Sequence, residues 1–251
     1  MWILAFDTST AAGTVALTEG EALVATRTFV SGRSHAERLL PAILDLLGEA
    51  GVALDDLDAI AVAAGPGSFT GLRIGLATAK GLARSAGKPL HAVSTLEAMA
   101  WNLSPVRGLL CPLLDARKKE VYAALFRGEG SGRLRRLTSD GVLSVEMVLE
   151  HLERFAPEPI LFFGEGERRY AERLREQLGE RFQEAPIHHG ACTGYAIAML
   201  ALAAIEAGAS PLSPEALTPR YLRPPEAEVK RLHRASIRWE EHPRSPDPEK
   251  P

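Results

Sequence analysis

Residues 64–75 read Ala-Gly-Pro-Gly-Ser-Phe-Thr-Gly-Leu-Arg-Ile-Gly, and the interpretation of the whole chain starts from this segment. An apolar run at 59–63 precedes it, and a helical pattern follows it as far as Ala86. A strand, a glycine-rich turn and a helix start together aim free backbone N–H groups at an anion. The segment is not a recognised nucleotide loop, because Leu72-Arg73 stands where a P-loop has Lys-Ser/Thr and the GxGxxG spacing is missing. An anion site is therefore expected here only as a secondary role.

The composition is that of a globular protein with a large core. The chain has 251 residues, of which 46% are hydrophobic, which suits one large domain or two small ones. The net charge of −3 gives no bulk attraction to nucleic acid, so an RNA contact requires a local basic patch. Two cysteines are too few for a disulfide framework, and the N-terminal apolar run is too short for a signal peptide or a membrane span. These features predict a cytoplasmic protein with no membrane contact.

Hydrophobic patterns predict three consecutive strands in the first half, followed by alternating helices and strands. Ser34 is expected to cap the first helix, with Glu37 completing a capping box, and Gly87 is expected to end the second helix. The predicted strands are 2–6, 14–17, 22–30, 58–63 and 90–93, and the predicted helices are 34–47, 70–86 and 94–103.

The second half restarts with strands after a Ser104-Pro105 linker. Its predicted strands are 109–114, 120–126, 134–138 and 160–163, and its predicted helices are 145–155, 168–177 and 193–207. The order predicts an α/β protein with two lobes, 1–103 and 104–223, each a mixed sheet with helices. The helix at 193–207 is free to pack back on the first lobe. Residues 224–251 are rich in proline and charge and are expected to lack regular structure.

Four motifs carry a resemblance to a known family. They are Asp7-Thr8-Ser9-Thr10, SHAERLLP at 34–41, GPGSFTGLR at 65–73 and LDARKKEVY at 114–122. The two-lobed plan and the first motif resemble the acetate-kinase, Hsp70 and actin (ASKHA) superfamily, in which the first hairpin usually faces a nucleotide phosphate and its metal. The four motifs together are similar to the TsaB (YeaZ) family of bacterial tRNA threonylcarbamoyladenosine biosynthesis proteins, and the likeness spans residues 1–223.

The resemblance implies an accessory subunit with no catalytic residue and no bound cofactor or metal of its own. Proteins of this family work with TsaD, a catalytic relative of the same fold, and with the ATPase TsaE. Together they transfer threonylcarbamoyl from an adenylate to the adenosine next to the anticodon of tRNAs that read codons beginning with A. ATP and metal are accordingly expected in the partner subunits, and tRNA is reached through the complex.

The metal site of the catalytic relative does not carry over to this chain. That relative binds its metal with two histidines four residues apart on one helix, a spacing that points both rings the same way. The matching positions here are Thr95 and Met99, and neither is a usual ligand for such a metal.

Two helices of the first half have wider apolar faces than one core requires. In the first, apolar residues cover an arc of roughly 160°, whereas ~100° is enough to face one core, so Leu44 or Leu46 is expected to be exposed. The second has an apolar stripe and, almost opposite, a face of small residues that includes two glycines expected to permit close backbone approach. We predict an interface with another subunit, or with a second copy as a two-fold homodimer when that subunit is missing. Burial of both helices within their own lobe is the alternative that the residues alone leave open. The predicted interface residues are His35, Leu39, Leu40, Ile43, Leu44, Thr70, Arg73, Ile74, Gly75, Ala77, Thr78 and Gly81.

A second set of residues is predicted to contact a nucleotide or another anion in a cleft between the lobes. Local hydrogen bonding of an Asp at a turn and a simple Asp–Arg ion pair are the competing explanations. The candidate residues are Asp7, Thr8, Ser9, Gly67, Ser68, Asp115 and Arg117.

Basic residues and glycine-rich turns leave further alternatives. Arg73, Lys80 and Arg84 form a helix stripe that suits tRNA phosphates or, more commonly, a solvated face. A basic cluster at 230–239 is a second candidate of the same kind. An ATP-dependent phosphotransferase would need a second phosphate loop, for which Gly164-Glu165-Gly166 is the nearest match. A metallopeptidase of the M22 type would need the paired histidines that this chain lacks.

Overall fold

The computed structural model describes residues 1–30, 35–130 and 132–223, and it divides the chain into two compact units. The first unit comprises Met1–Asn102 and the described residues from Ile187 onward, and the second comprises Leu103–Pro186. The expected cap at Ser34 and the expected unstructured tail at 224–251 lie outside the described residues. Within the described ranges, no helix is long and apolar enough to cross a membrane.

The first unit is built on a five-stranded mixed sheet in the order β3-β2-β1-β4-β5. Strands β1 to β3 pair antiparallel and so confirm the predicted meander, whereas β4 and β5 run parallel to β1. The strands are β1 (Trp2–Asp7), β2 (Ala12–Glu19), β3 (Ala22–Val30), β4 (Ala59–Gly65) and β5 (Leu90–Ser94).

Three helices alternate with these strands, and side-chain caps begin two of them. They are α1 (His35–Ala50), α2 (Phe69–Ala86) and α3 (Thr95–Trp101). The Ser68 hydroxyl accepts a hydrogen bond from the Gly71 N–H at 3.3 Å, and Ser94 does the same for Glu97 at 3.3 Å. Gly87 ends α2 in the left-handed conformation that a helix C-terminus favours, as predicted.

Helices α1 and α2 cover one face of this sheet. Val15 and Leu17 of β2 point into a core that also holds Leu39 and Ile43 of α1 and Leu72 of α2. All five side chains are essentially excluded from solvent. This core fixes which sides of α1 and α2 face inward.

The second unit also combines a mixed sheet with helices, which confirms the predicted α/β class. The main strand order of this sheet is β10-β7-β6-β11-β12, and β8 also pairs with β6 and with β9. The elements are β6 (Arg107–Asp115), β7 (Glu120–Ala123), β8 (Phe126–Glu129), β9 (Leu134–Arg136), β10 (Gly141–Ser144), α4 (Val145–Leu152), β11 (Ile160–Phe163), α5 (Glu165–Leu178) and β12 (Phe182–Glu184).

The strand expected at 120–126 is two strands in the structure. β7 pairs with the end of β6, near Leu113, whereas β8 pairs with its beginning, near Leu109. A continuous apolar pattern hides this break, because both pieces are buried. Strands β10 and β12 were not predicted, since four and three residues are too few to show an alternating pattern.

A last helix, α6 (Gly194–Glu206), packs on the opposite face of the first sheet. The Gly194 N–H donates to the Thr14 hydroxyl at 3.2 Å, and a side chain at 194 would meet the Ala16 backbone. Thr14 and Ala16 alternate with the core residues of β2, so they point to the other side. A glycine begins this helix because the helix lies directly on the strand.

The segments on both sides of α6 also belong to the first unit, whereas the sequence assigned them to a second lobe ending at 223. Leu212 pairs with Leu90 at the edge of the first sheet, and Leu217 is fully buried in the first core. These apolar anchors are the physical reason for the difference. They lie in a proline-rich stretch in which periodicity gives no signal.

Glu167, in the first turn of α5, is a buried carboxyl with one oxygen that has no hydrogen-bond partner. It is 2% exposed, and its Oε1 accepts no hydrogen bond from any described residue. Burial, assisted by the negative charge of Glu184, raises the pKa of Glu167 to about 7. Arg168 and Arg175 offset only part of this effect.

We expect Glu167→Gln to stabilise the protein more at pH 8 than at pH 5. The folded carboxyl holds its proton up to about pH 7, whereas the unfolded carboxyl releases it near 4.5, so stability is lost as pH rises across this window. Glutamine stays neutral, and the difference between the two pH values should approach roughly 3 kcal/mol. Denaturant unfolding followed by circular dichroism at both pH values measures it.

Glu165→Gln is the matched control, because Glu165 lies on the same helical turn but is exposed. Its unfolding free energy is measured at the same two pH values as that of Glu167→Gln. An equal effect of Glu167→Gln at pH 5 and pH 8 would contradict the buried, protonated carboxyl.

Candidate functional site: the glycine-rich turn and an exposed helix face

The glycine-rich turn is docked on the first hairpin of its own chain. The Ser68 N–H donates to the Ser9 carbonyl oxygen at 2.7 Å. A Cβ atom at Gly67 would lie against the Ser9 carbonyl oxygen and 2.7 Å from the Ser9 Cβ. The glycine at this position therefore permits two stretches of backbone to touch.

Two further glycines continue this contact along the first turns of α2. A Cβ at Gly71 would overlap the Thr8 carbonyl oxygen, and one at Gly75 would lie 2.6 Å from the Thr8 hydroxyl. That hydroxyl donates to the Gly71 carbonyl oxygen at 2.7 Å. Gly75 was predicted to lie in a partner interface, but the structure buries it against Thr8, so its close approach is internal to the chain.

The residues of the predicted anion site at this turn make hydrogen bonds to one another. Asp7, Thr8 and Ser9 are at most 2% exposed. Asp7 Oδ1 accepts a hydrogen bond from the Ser9 N–H at 2.7 Å. At the start of α2, the Ser68 N–H donates to the Ser9 carbonyl oxygen, and the Gly71 N–H donates to the Ser68 hydroxyl. A phosphate at this position would need such N–H groups as donors. These hydrogen bonds stabilise the hairpin and the helix start, and the anion contact stays a prediction.

Burial controls the chemistry of the acidic and thiol groups beside this turn. Burial raises the pKa of Asp7, although hydrogen bonds from Ser9 and the charge of His35 offset part of the shift. Burial also raises the pKa of the Cys192 thiol, and the charge of Asp7 raises it further. A thiol with a raised pKa is a poor nucleophile, so Cys192 is suited to packing.

His35 lies beside the first hairpin. Its Nε2 is 3.0 Å from the Thr10 carbonyl oxygen, and its ring meets Phe29 edge-on with centroids 6.0 Å apart. The start of α1 is thereby tied to the hairpin turn. His35 was predicted to lie in a partner interface, and these contacts give it a positioning role inside its own unit.

The two positions that match the metal ligands of the catalytic relative serve the core. Thr95 and Met99 are fully buried on α3, and the Thr95 hydroxyl is 3.1 Å from the Ser9 hydroxyl. In the part of the chain that the structure describes, no three His, Cys, Asp or Glu side chains are grouped to hold a metal ion.

Asp115 and Arg117 lie in the second unit, at the turn between β6 and β7. Asp115 Oδ1 accepts a hydrogen bond from the Arg117 backbone N–H at 2.9 Å, and its Oδ2 lies 2.5 Å from Arg169. The Arg117 guanidinium approaches Oδ2 only to 3.8 Å and is largely exposed. The alternative explanation for Asp115 was an Asp–Arg ion pair. The structure shows such a pair at 2.5 Å with Arg169, which the sequence did not indicate, and a longer one at 3.8 Å with Arg117.

The exposed side of α1 is narrower than predicted. Leu39 and Ile43 were assigned to the partner interface, but both are fully buried in the core of their own unit, as is Leu46. Leu40 and Leu44 remain, with 44% and 57% of their surface exposed. A helix packed on a sheet buries only about 100° of its surface against it. One edge of the roughly 160° apolar arc of α1 is therefore left exposed to solvent.

The exposed side of α2 carries small residues, as predicted. Ala77 and Gly81 are exposed, Ile74 and Thr78 are half-buried, and the space around Gly81 is open for 4 Å where a Cβ would point. Thr70 is also exposed at the start of the helix. We call the exposed residues Leu40, Leu44, Ala77 and Gly81 the α1–α2 face.

The basic stripe of α2 contacts the segment that follows α6. Arg73 Nε donates to the Tyr221 hydroxyl at 3.0 Å, and its guanidinium lies 3.8 Å from the centre of the Phe69 ring. Arg84 pairs with Glu215 at 2.5 Å. Two of the three cations of the stripe are therefore engaged within the chain. No local sequence pattern indicates these contacts. Arg73 and Tyr221 are 148 residues apart in the chain, and Arg84 and Glu215 are 131 residues apart.

The second phosphate loop that a phosphotransferase would need is closed in this chain. Gly164 precedes α5, and a Cβ at Gly166 would lie 2.9 Å from the Leu113 backbone. The exposed Glu165 occupies the first turn of α5, where its carboxylate already offers negative charge to the helix N-terminus. An additional phosphate would be repelled there.

Comparisons with known proteins identify relatives of this chain. A family model described as TsaD, tRNA N6-adenosine threonylcarbamoyltransferase, matches residues 29–230. The tRNA threonylcarbamoyladenosine biosynthesis protein TsaB of Bacillus subtilis (strain 168) is 36% identical over 181 residues, which are 72% of this chain and 78% of that protein. TsaB of Escherichia coli (strain K12) is 38% identical over 161 residues, 63% of this chain and 69% of that protein.

Solved structures give the same result. YeaZ from Pseudomonas aeruginosa superimposes with a TM-score of 0.73 at 32% identity, covering 88% of this chain and 99% of that one. A Pseudomonas aeruginosa protein described as similar to peptidase YeaZ superimposes with a TM-score of 0.76 at 34% identity, with the same coverage. The sequence relatives and the structural neighbours agree, and the chain belongs to the TsaB (YeaZ) family.

Proposed function

We propose that this chain is the accessory subunit of the complex that forms threonylcarbamoyladenosine on tRNA, and that its α1–α2 face binds the catalytic subunit TsaD. The proposal includes TsaE as a further component and tRNA as the substrate of the complex. The observation that carries it is the pair of exposed leucines on α1 beside a small-residue side of α2. The names of the relatives supply the pathway.

The α1–α2 face has the properties of a helix-packing surface. Leu40 and Leu44 are one helical turn apart and expose large apolar area without a core role. Ala77 and Gly81 are also one turn apart, and their small size lets the axis of a partner helix come close. A specific interface buries roughly 1,600 Å² in total, and apolar anchors near its centre contribute most of the affinity.

The internal hydrogen bonds of the turn before α2 support an accessory role rather than that of a phosphotransferase. Catalysis of phosphoryl transfer requires donors and a metal arranged around the phosphates. Here the Ser9 carbonyl takes the Ser68 N–H, and Asp7 is buried against its own turn. ATP and metal then belong to the partner subunits.

The same face is expected to pair with a second copy when TsaD is absent. An exposed apolar surface that awaits a partner can associate with itself about a two-fold axis. The homodimer and the complex with TsaD would compete, because both use Leu44.

Leu44→Glu should weaken the complex with TsaD and reduce tRNA modification. A charge in the centre of an apolar contact costs about 2 kcal/mol or more, which is roughly a 30-fold loss of affinity. Co-purification with TsaD, light scattering of the isolated chain and reconstituted modification with TsaD, TsaE and tRNA measure the effect. The variant should be monomeric alone and folded like the parent, since Leu44 is 57% exposed.

Leu23→Glu is the matched control, because Leu23 is 45% exposed on β3 and lies outside the α1–α2 face. It should leave the complex and the dimer intact. The accessory role itself is tested by omission, and equal modification by TsaD and TsaE without this chain would refute it. If modification requires the chain but tolerates Leu44→Glu, the role survives and the proposed face is wrong.

Gly81→Trp should raise the stability of the protein and, at the same time, weaken its binding to TsaD. The space around Gly81 is open, and replacing a glycine inside a helix stabilises it by roughly 0.5 kcal/mol. The bulky ring should nevertheless block a closely packed partner. Thermal unfolding and co-purification with TsaD give the two readouts, and Ala203→Trp, on the exposed side of α6, is the control that should retain binding. Undiminished binding by Gly81→Trp would exclude close packing at this position.

A further inference from the structure

The turn between β6 and β7 exposes three consecutive cations, Arg117, Lys118 and Lys119. We call it the basic turn. Arg117 has 83% of its side chain exposed. Arg117 was predicted to contact a nucleotide or another anion, or to pair with Asp115, and the α1–α2 face does not include any of the three. This surface is therefore unexplained by the proposed function.

The backbone of the basic turn is unusual. Its three residues have φ angles of 63°, 51° and 65°, in the left-handed region. Side chains with a Cβ adopt this region at an energetic cost, and successive residues rarely do so. Every other described residue with a positive φ is a glycine. Among the described residues, glycine occupies ten such positions and cations occupy these three.

Neighbouring groups hold this turn rigidly. The Ala116 N–H donates to the Glu120 carbonyl at 3.0 Å, and the Glu120 N–H donates to the Arg117 carbonyl at 2.9 Å. Asp115 accepts from the Arg117 N–H at 2.9 Å and is itself fixed by Arg169 at 2.5 Å. Strained conformations persist only where the surroundings impose them, and they are concentrated at functional sites.

Positive charge exceeds negative charge at this turn. Between Asp115 and Glu120 there are three cations and two carboxylates, and Asp115 is shared with Arg169. Asp115 is 13% exposed, whereas all three cations are exposed. The charge that reaches solvent is therefore positive, on a chain whose net charge is −3.

We infer that the basic turn contacts the phosphate backbone of the tRNA on which the complex acts, an inference that rests on the proposed function. Sites for small molecules are concave, whereas a hairpin turn that holds three cations in solvent suits a row of phosphates. Arginine and lysine contacts of this kind position a nucleic acid without reading its sequence. The turn contributes affinity and orientation, and no chemical step.

The test variant replaces all three cations by asparagine, as R117N/K118N/K119N. Asparagine tolerates the left-handed region better than most residues, and the anchoring bonds come from the backbone, so the fold is preserved. The complex with TsaD and TsaE is titrated with an unmodified tRNA transcript that reads codons beginning with A, at several KCl concentrations. The slope of log Kobs against log [KCl] should become shallower by about 2 to 3, and affinity at low salt should fall most.

The control variant removes three exposed cations elsewhere in the second unit, as R154A/R173A/R175A. It changes net charge by the same amount and should leave the slope nearly unchanged. An equal effect of both variants would indicate bulk charge and overturn the inference. If the asparagine variant loses TsaD in co-purification instead of tRNA affinity, the turn binds an acidic protein surface and the inference also fails.

The two proposals can fail separately. If modification does not require the chain at all, the proposed function fails. If modification requires the chain but the asparagine variant keeps its tRNA affinity and salt slope, only the present inference fails.

A second variant tests whether the strained backbone of the basic turn is retained because it carries cations that bind tRNA. Lys118→Gly relieves the left-handed strain and should raise the Tm of the protein, by about 2–4 °C for a chain of this size. It should also lower tRNA affinity, because one cation is lost. A turn with a purely structural role would gain stability without any change in tRNA binding, and that result would contradict the inference.

Discussion

The direct contact between the start of α2 and the first hairpin positions most of the first unit. Gly67 and Gly71 let the backbone of α2 touch the backbone of Thr8 and Ser9. Hydrogen bonds of 2.7 Å on both sides of the contact fix the helix at a definite height and rotation. A strand–turn–helix segment that elsewhere cradles a phosphate is used here to join two parts of the same chain. The orientation of the helix follows from this set of glycines.

That orientation gives glycines of one helix opposite roles. Gly75 faces Thr8 in the interior, whereas Gly81 faces open solvent six residues later. Because the helix is locked at its start, Leu72 and Leu76 enter the core and Ala77 is left outside. The small-residue side of α2 is exposed as a consequence, and it lies in the same helical layer as the exposed leucines of α1. The rotation of one helix therefore determines the composition of the face to which we assign the partner.

Local signals predicted the elements well, and long-range contacts set the limits of prediction. The ends of α2 follow from Ser68 and Gly87, whose capping chemistry is local. In α1, the apolar arc contains both Leu39 and Leu40, and only the position of the sheet decides that the first is buried and the second exposed. Arg73 and Tyr221 are 148 residues apart, and the sequence around neither residue indicates that they are in contact. For the candidate site, the residue types were predictable, but their neighbours were not.

Two carboxyls of the described residues have raised pKa values, and both are buried. Burial raises the pKa of Asp7 and of Glu167, and such perturbed groups commonly mark active sites when a cleft exposes them to substrate. Both carboxyls are instead almost completely excluded from solvent, so neither can meet a substrate without a rearrangement. The features that do reach solvent are of another kind, apolar and small on α1 and α2 and cationic at the basic turn. Apolar contacts select a partner by shape, whereas exposed cations act on a polyanion through long-range charge. The two surfaces therefore suit the two contacts that we propose, the apolar one a protein partner and the cationic one the tRNA.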